Sequence, residues 1–179
     1  MVYEFQVTRR VEFSDTDMAG IMHFSNFFRF METAEHAFFR SLGHSVVLSR
    51  SGLPLCLPRV HASCDYRAPL FFEDEVLVRL LVQKKSARSL AYQFRFHRLN
   101  EAKEVARGRV VVVCAQRQPD GSLRAAPLPD VIAREIREAP RRLLTAGLSD
   151  PKRQTGPRDG APAPSRGKKS ARVPLAPNA

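Results

Sequence analysis

The sequence predicts an α+β domain in which one antiparallel sheet of about five strands wraps around one long helix. The apolar pattern alternates at the start, becomes helical once, and then alternates again in four later runs. No helical stretch separates these later runs. Because parallel neighbouring strands need long crossover connections, a doubly wound parallel sheet is disfavoured.

The first two predicted elements are a half-buried strand and an unusually apolar helix. Residues 3–13 alternate between apolar and polar side chains, which is typical of a strand with one covered face. Residues 26–42 have a helical period, and a single polar stripe interrupts their apolar surface. Such a helix must be covered on several sides. Asn26 is the predicted N-cap and Gly43 the predicted C-terminal stop.

Four further strands follow the helix. Their predicted ranges are 57–67, 75–83, 89–98 and 107–116. Residues 129–139 are expected to close the domain as a short amphipathic helix. A chain of this length and apolar content supports one real core, so residues 1–145 are predicted to form one domain.

Residues 146–179 differ in composition from the rest. They are rich in Pro, Ala, Gly, Lys and Arg and have few large apolar side chains, so we expect a disordered basic tail. From Arg141 onward, nine Lys or Arg and two Asp contribute +7 of the net +11 and leave +4 for residues 1–140. A solubilising extension is the simplest role. Weak contact with nucleic acid or another anionic surface is the alternative.

The sequence favours a cytoplasmic protein without a transmembrane segment. The first ten residues alternate and do not show the basic start and apolar block of an export signal. The longest apolar run, 110–115, is far shorter than the roughly 20 residues that span a bilayer. The three cysteines are an odd count without disulfide-like or metal-like spacing, which favours a reducing compartment.

Two carboxylates, Asp15 and Asp17, lie between the first strand and the helix. A helix start offers unpaired backbone N–H groups and a partial positive charge. A carboxylate beside it stays ionised, and a carbonyl oxygen there is polarised, as acyl transfer requires. The alternative is that both Asp residues only cap turns. The metal-binding D-x-D motif of some sugar transferases is disfavoured, because it belongs to nucleotide-binding α/β domains.

Two strings, RVEFSDTDMAGIMHFSNFFRFMETA and VHASCDYRAPLFFEDEV, show a family resemblance. They resemble the hotdog-fold acyl-CoA thioesterases of the 4-hydroxybenzoyl-CoA thioesterase family, which includes the thioesterase associated with the bacterial Tol-Pal system. The positions that match the first motif are Phe13, Asp15, Asp17, Gly20, Asn26, Phe27 and Glu32. Those that match the weaker second motif are Ala68, Pro69, Glu73 and Asp74. The resemblance covers residues 3–138.

The resemblance implies hydrolysis of an acyl-CoA thioester to the free acid and CoA. It implies that Asp17 is catalytic, either as general base toward water or as the nucleophile that forms a mixed anhydride. Asp15 would hold the turn. A backbone N–H near Phe24, at the helix start, would bind the thioester carbonyl. The resemblance implies no metal and no cofactor beyond the CoA of the substrate.

Further substrate-binding residues are implied by the same motif. Gly20 and Asn26 belong to it directly. His23 and Phe24 stand where the family usually has two aromatic residues, often Tyr followed by His or Tyr. His23 therefore either lies beside the reacting centre or only bonds the backbone at the helix entry. Glu32 is expected to line the pocket of a partner subunit.

Three other features carry expectations about the substrate and the subunit interface. Lys84, Lys85 and Arg88 resemble a basic turn that meets CoA phosphates in some relatives, although cations on a turn are also commonly just solvated. Phe27 replaces a common tyrosine, and the missing hydroxyl favours a less polar acyl chain. Glu35 lies off the polar stripe of the helix, so we expect it to pair across a subunit interface.

The resemblance also bears on assembly. Hotdog domains of this kind pair their sheets edge to edge with active sites between subunits, which implies a homodimer or homotetramer. Two other functions remain open. A non-catalytic hotdog protein would bind acyl thioesters or join an assembly, although a binding pocket gains nothing from a carboxylate aimed at a carbonyl. A thioesterase for acyl carrier protein would suit a basic rim.

Overall fold

The computed structural model describes residues 1–50 and 53–146 and has two antiparallel sheets. Its strands are β1 Glu4–Arg10, β2 Leu48–Arg50, β3 Leu53–Cys56, β4 Arg59–Tyr66, β5 Glu75–Lys85, β6 Ser89–Arg98, β7 Glu104–Val113, β8 Ala115–Arg117 and β9 Leu123–Ala125. Its helices are α1 Asn26–Ser41, α2 Asp130–Glu135 and α3 Arg141–Thr145. The main sheet has the order β1-β5-β6-β7-β4, and the smaller sheet has the order β2-β3-β8-β9.

The predicted α+β class is confirmed, and the main sheet contains the five expected strands. The smaller sheet was not predicted, because its strands have only three or four residues and are too short to show alternation. The predicted strand 107–116 ends at Val113, since the next N–H donates to the Arg88 carbonyl. The predicted helix 129–139 is shorter, because Arg137 donates to the Val2 carbonyl instead of continuing it.

The predicted disordered tail lies almost entirely outside the described residues. Its first residue, Ala146, is described, and its carbonyl oxygen accepts a hydrogen bond from Arg107 at 3.0 Å. The domain boundary at 145 and the role of the tail stay predictions.

Helix α1 lies against the inner face of the main sheet and supplies much of the core. Three of its phenylalanines, Phe30, Phe38 and Phe39, are almost completely buried. On the sheet, alternate side chains of β5 and β6 point at the helix, so that Leu80 and Phe94 are neighbours in the core. The wide apolar surface seen in the sequence therefore corresponds to a helix covered by the sheet on one side and by connecting segments on others.

Gly108 lies in β7 directly under α1. A Cβ atom at this position would overlap Sδ of Met31 and lie 2.8 Å from its Cε. Met31 is itself buried, so its thioether has little room to move. The glycine therefore permits the close approach of helix and sheet.

We expect Gly108→Ala to lower the free energy of unfolding by about 1–3 kcal/mol, because the added methyl group overpacks the core. Urea denaturation of Gly108→Ala, Met31→Ala and the double variant measures the effect. The loss in the double variant should be smaller than the sum of the two single losses, since removing the thioether makes room for the methyl group. Strictly additive losses would show that the two sites do not interact.

Glu35 is a buried carboxyl group in the middle of α1. Its predicted pairing across a subunit interface is wrong, because its carboxylate binds Arg59 of the same chain at 2.7 Å. A bulge in β4 between Arg59 and His61 changes the register there and makes Arg59 the neighbour of Val112, a core position. Burial raises the pKa of Glu35 to about 7, against the opposing positive charge of Arg59.

This raised pKa predicts a pH dependence of stability. Between pH 4.5 and about 7, Glu35 holds its proton in the folded state and loses it in the unfolded state. The contribution of Glu35 to the free energy of unfolding therefore falls by about 2–4 kcal/mol as the pH rises through this range. Urea denaturation across the range should show that Glu35→Gln gains stability relative to the wild type as the pH rises. The same comparison with Glu32→Gln, whose carboxylate is half-exposed, should show a much smaller change; equal changes would contradict the assignment.

Candidate active site

The turn between β1 and α1 uses Asp15 as a structural anchor. The Asp15 carboxylate accepts a hydrogen bond from the Glu12 N–H at 3.0 Å. Its backbone carbonyl accepts two more, from the His23 N–H and from the Asn26 side-chain amide, each at 2.8 Å. Asp15 therefore ties the turn to the residues that lead into α1.

Asp17 belongs to the same turn but keeps part of its carboxylate available. Its Oδ1 accepts a hydrogen bond from the Ala19 N–H at 2.8 Å, and its Oδ2 has no hydrogen-bond partner among the described residues. The backbone is closed by bonds from the Asp17 N–H to the Ile21 carbonyl and from the Gly20 N–H to the Asp17 carbonyl. Gly20 has φ +74°, a conformation that favours glycine. Gly20 thus shapes the turn without lining the cavity beside it.

Asp17 borders a cavity of about 590 Å³. The lining residues are Asp17, Ile21, Met22, Phe24, Phe27, Tyr66, Arg67, Ala68, Pro69 and Leu70. Asp17 is the one carboxylate among them, and the cation Arg67 forms an ion pair with Glu104 at 2.9 Å. A mostly apolar cavity with few polar groups is typical of a small-molecule site.

Phe24 lines this cavity and has a backbone donor that is not used elsewhere among the described residues. Its N–H has no hydrogen-bond partner among the described residues, whereas the preceding carbonyl, of His23, accepts from the Asn26 N–H at 2.9 Å. Because the peptide is trans, the Phe24 N–H points away from that bond. The Phe24 carbonyl accepts from the Tyr66 hydroxyl at 3.1 Å. The peptides on both sides of Phe24 are therefore fixed.

The start of α1 corrects one sequence prediction. Ser25 is the N-cap, and Asn26 is the first helical residue. The Ser25 hydroxyl does not cap the helix, because it pairs with Nδ1 of His23 at 2.8 Å. The predicted cap, Asn26, is buried and uses its amide on Asp15 instead.

His23 lies at the helix entry and does not line the cavity. Besides its bond to Ser25, its ring packs on Phe24 with 4.4 Å between ring centroids. Of the two roles that the sequence left open, this geometry favours bonding at the helix entry.

Glu32 also lies away from the cavity within the chain. Its carboxylate contacts Arg59 at 3.1 Å and His36 at 4.0 Å. A role in the pocket of a partner subunit stays a prediction.

The basic turn between β5 and β6 is distant from Asp17 in the same chain. Tyr66, at the cavity, is level with Val78 of β5 through the pairing of the strands between them. Lys85 lies seven residues further along β5, about 20 Å from Val78. The Lys85 ammonium donates to two backbone carbonyls, those of Ala133 and Ile136. Lys84 and Arg88 are exposed. The structure therefore does not bring the predicted phosphate contacts together with Asp17.

One wall of the cavity was missed as a binding feature, and it is formed by residues 66–70. Backbone contacts join this wall to the Asp17 turn, including a bond from the Met22 N–H to the Leu70 carbonyl at 2.7 Å. Burial raises the pKa of Tyr66 to about 12, so its hydroxyl remains a donor at neutral pH. The alternation in the predicted strand 57–67 was the available signal, since it placed Tyr66 on the apolar face.

In the described ranges, 1–50 and 53–146, no helix is long and apolar enough to cross a membrane. No group of three or more His, Cys, Asp or Glu side chains in these ranges is arranged to hold a metal ion.

Comparison with known proteins gives consistent matches. Residues 11–136 match the family model described as the thioesterase-like superfamily. A 1,4-dihydroxy-2-naphthoyl-CoA hydrolase from Synechocystis sp. is 31% identical over 110 residues, which cover 62% of this chain and 80% of the relative. A hydrolase of the same name from Synechococcus sp. is 30% identical over 139 residues, which cover 72% of this chain and 86% of the relative.

A solved structure agrees with these matches. The crystal structure of a 1,4-dihydroxy-2-naphthoyl-CoA thioesterase from Synechocystis aligns with a TM-score of 0.64 and 28% identity, covering 73% of this chain and 93% of that one. The match confirms the hotdog fold and the resemblance seen in the sequence. The chain therefore belongs to the thioesterase-like superfamily and is a hotdog-fold thioesterase.

Proposed function

We propose that this chain hydrolyses acyl-CoA thioesters to the free acid and CoA, with Asp17 as the catalytic carboxylate. The names of the relatives support activity on CoA thioesters. One observation carries the proposal for Asp17. Asp17 borders an apolar cavity that Phe24 also lines. Neither the Oδ2 atom of Asp17 nor the N–H of Phe24 has a hydrogen-bond partner among the described residues.

In this mechanism the thioester carbonyl oxygen accepts a hydrogen bond from the Phe24 N–H, which stabilises the developing oxyanion. As general base, Asp17 takes a proton from water while the water oxygen bonds to the carbonyl carbon. The C–S bond then breaks, and the CoA thiolate takes up a proton. As nucleophile, Asp17 instead forms a mixed anhydride that water opens. Turnover in heavy-oxygen water with mass spectrometry of the Asp17 peptide distinguishes the two routes.

The cavity supports an aromatic acyl group with few polar substituents. The rings of Phe24, Phe27 and Tyr66 line it, and Phe27 packs edge-on against Tyr66 with 5.1 Å between centroids. The relatives named above act on an aromatic acyl-CoA. The missing hydroxyl at Phe27 favours a less polar acyl group. Benzoyl-CoA and phenylacetyl-CoA each carry an aromatic acyl group without polar substituents. In this proposal no cofactor is required beyond the CoA of the substrate.

We expect Asp17→Asn to lower free-thiol release by about a hundredfold or more, the size of a lost acid/base group. The matched control is Asp15→Asn, because asparagine keeps an acceptor oxygen for the Glu12 N–H. It should retain activity within a few fold. The assay uses acetyl- through palmitoyl-CoA, benzoyl-CoA, phenylacetyl-CoA and 4-hydroxybenzoyl-CoA.

Each result of this assay has a defined meaning. Equal activity of Asp17→Asn and the wild type would remove Asp17 from the mechanism. Turnover of carrier-protein thioesters alone would favour the acyl carrier protein alternative. If the wild type hydrolyses neither CoA thioesters nor carrier-protein thioesters, the result would favour a non-catalytic binding or assembly protein. A strong preference for 4-hydroxybenzoyl-CoA would contradict the less polar acyl group.

We further propose that two copies pair through β4. This strand is an edge of the main sheet, and its side chains are mostly exposed, Val60 by 62% and Tyr66 by 46%. An exposed apolar edge is a template for pairing. Antiparallel pairing about a two-fold axis would place the Arg59 end of one strand beside Tyr66 of the other. A partner would then lie next to the cavity.

Sedimentation velocity tests this assembly. The wild type should sediment as a dimer or a larger even-numbered species. Val60→Asp places like charges near the two-fold seam and should shift the population toward monomer. The control is Val131→Asp, an equally exposed valine on α2 that should leave the assembly unchanged. A monomeric wild type would contradict the proposal.

A further inference from the structure

We propose that the outer face of the main sheet, opposite α1, has a binding pocket for a phosphate-sized anion. The pocket has a volume of about 170 Å³. Its lining residues are Ser63, Asp65, Gln83, Gln93, Arg107, Gly108 and Arg109. They come from the four neighbouring strands β4, β7, β6 and β5. Together these residues form the outer-face pocket.

Arginines form a row of like charges on this face. Arg107, Arg95 and Arg79 are direct neighbours across β7, β6 and β5. Like charges directly opposite each other in a sheet are destabilising. The row therefore requires negative charge nearby.

The carboxylates of this face neutralise it only in part. Glu104 binds Arg107 through two contacts of 2.8 Å and also binds Arg67 at 2.9 Å. Glu4 binds Arg79 at 2.7 and 3.0 Å. Two carboxylates thus pair with three arginines, Arg107, Arg67 and Arg79. Little negative charge is left for Arg95, the middle residue of the row.

Arg95 has the weakest compensation. Its contact with Glu104 is 3.8 Å long, and it donates mainly to the backbone carbonyls of Leu143 and Leu144. Burial and the neighbouring charge of Arg107 lower the pKa of Arg95. The centre of the face is therefore short of negative charge.

One donor of Arg107 is unsatisfied. Nη1 of Arg107 is buried and has no hydrogen-bond partner among the described residues. A buried donor atom without an acceptor is costly, so such atoms in folded proteins usually have one. Arg107 also lines the outer-face pocket, so its buried guanidinium adds positive charge beside a bound anion.

Several further donors line the outer-face pocket. Arg109 is exposed and uses its Nε on Gln83 at 3.1 Å, while its two terminal nitrogens have no partner among the described residues. The amides of Gln83 and Gln93 and the hydroxyl of Ser63 are further donors. Guanidinium groups bind phosphate oxygens strongly. Asp65 is the one opposing charge at the pocket.

The phosphate has two possible sources. Asp65 immediately precedes Tyr66, so the outer-face pocket and the cavity of Asp17 lie on the two faces of the same end of β4. A CoA thioester that passes round this end would bring one of its phosphates to the pocket; this source rests on the proposed function. Free phosphate is the other source and does not.

Isothermal titration of the full chain with inorganic phosphate at low salt tests the site without any need for activity. Arg109→Gln should weaken binding ~10-fold by removing charge-assisted hydrogen bonds. Asp65→Asn should tighten binding, because it removes the opposing charge. Both positions are exposed, so neither change threatens the fold. Arg124→Gln, an exposed arginine on β9, is the control and should change nothing.

A kinetic arm identifies the source. If the phosphate belongs to CoA, Arg109→Gln raises KM for benzoyl-CoA, leaves kcat unchanged and has no effect on the corresponding pantetheine thioester. If free phosphate is the ligand, Arg109→Gln weakens phosphate binding in the titration. The KM values for benzoyl-CoA and for the pantetheine thioester then stay constant. The proposal is overturned if Arg109→Gln and Asp65→Asn change neither the phosphate affinity in the titration nor the KM for benzoyl-CoA. In that case this face binds neither phosphate nor CoA.

Discussion

The two hydrogen bonds that the Asp15 carbonyl accepts, from the His23 N–H and the Asn26 amide, hold the Asp turn against the start of α1. The buried amide also fixes the direction in which the helix leaves the turn. Without this connection, Asp17 and the Phe24 N–H would sit on two segments free to move apart. Catalytic groups need positions fixed to a fraction of an ångström, so the proposed catalytic geometry depends on this junction.

Helix α1 carries both the core and the site, and this explains its composition. Phe27 contacts Tyr66 and Phe96 with centroid distances of 5.1 and 5.2 Å, so one side chain joins the cavity wall to the sheet. Because the buried helix packs tightly, its first turn is held rigidly where the backbone donors lie. Stability and positioning therefore come from the same contacts.

The sequence was sufficient for the main sheet with its helix and for the catalytic candidate, because both depend on local patterns. Alternation and helical period place β1, α1 and β4 to β7, and the family motif contains Asp17. The cavity wall at Tyr66, the N-cap at Ser25 and the intrachain partner of Glu35 depend on contacts between distant residues. A single sequence shows which side chains need partners, but it does not show which segment supplies them.

The different roles of Asp15 and Asp17 follow from backbone direction. The carboxylate of Asp15 turns back to the N–H of Glu12, three residues earlier, whereas that of Asp17 turns forward to Ala19 and leaves one oxygen without a partner among the described residues. If the roles were exchanged, the His23 N–H and the Asn26 amide would have to donate to the Asp17 carbonyl, which already accepts from the Gly20 N–H. The spacing of one residue therefore separates an anchoring carboxylate from the one proposed to be catalytic, and the turn can satisfy the first while leaving one oxygen of the second available.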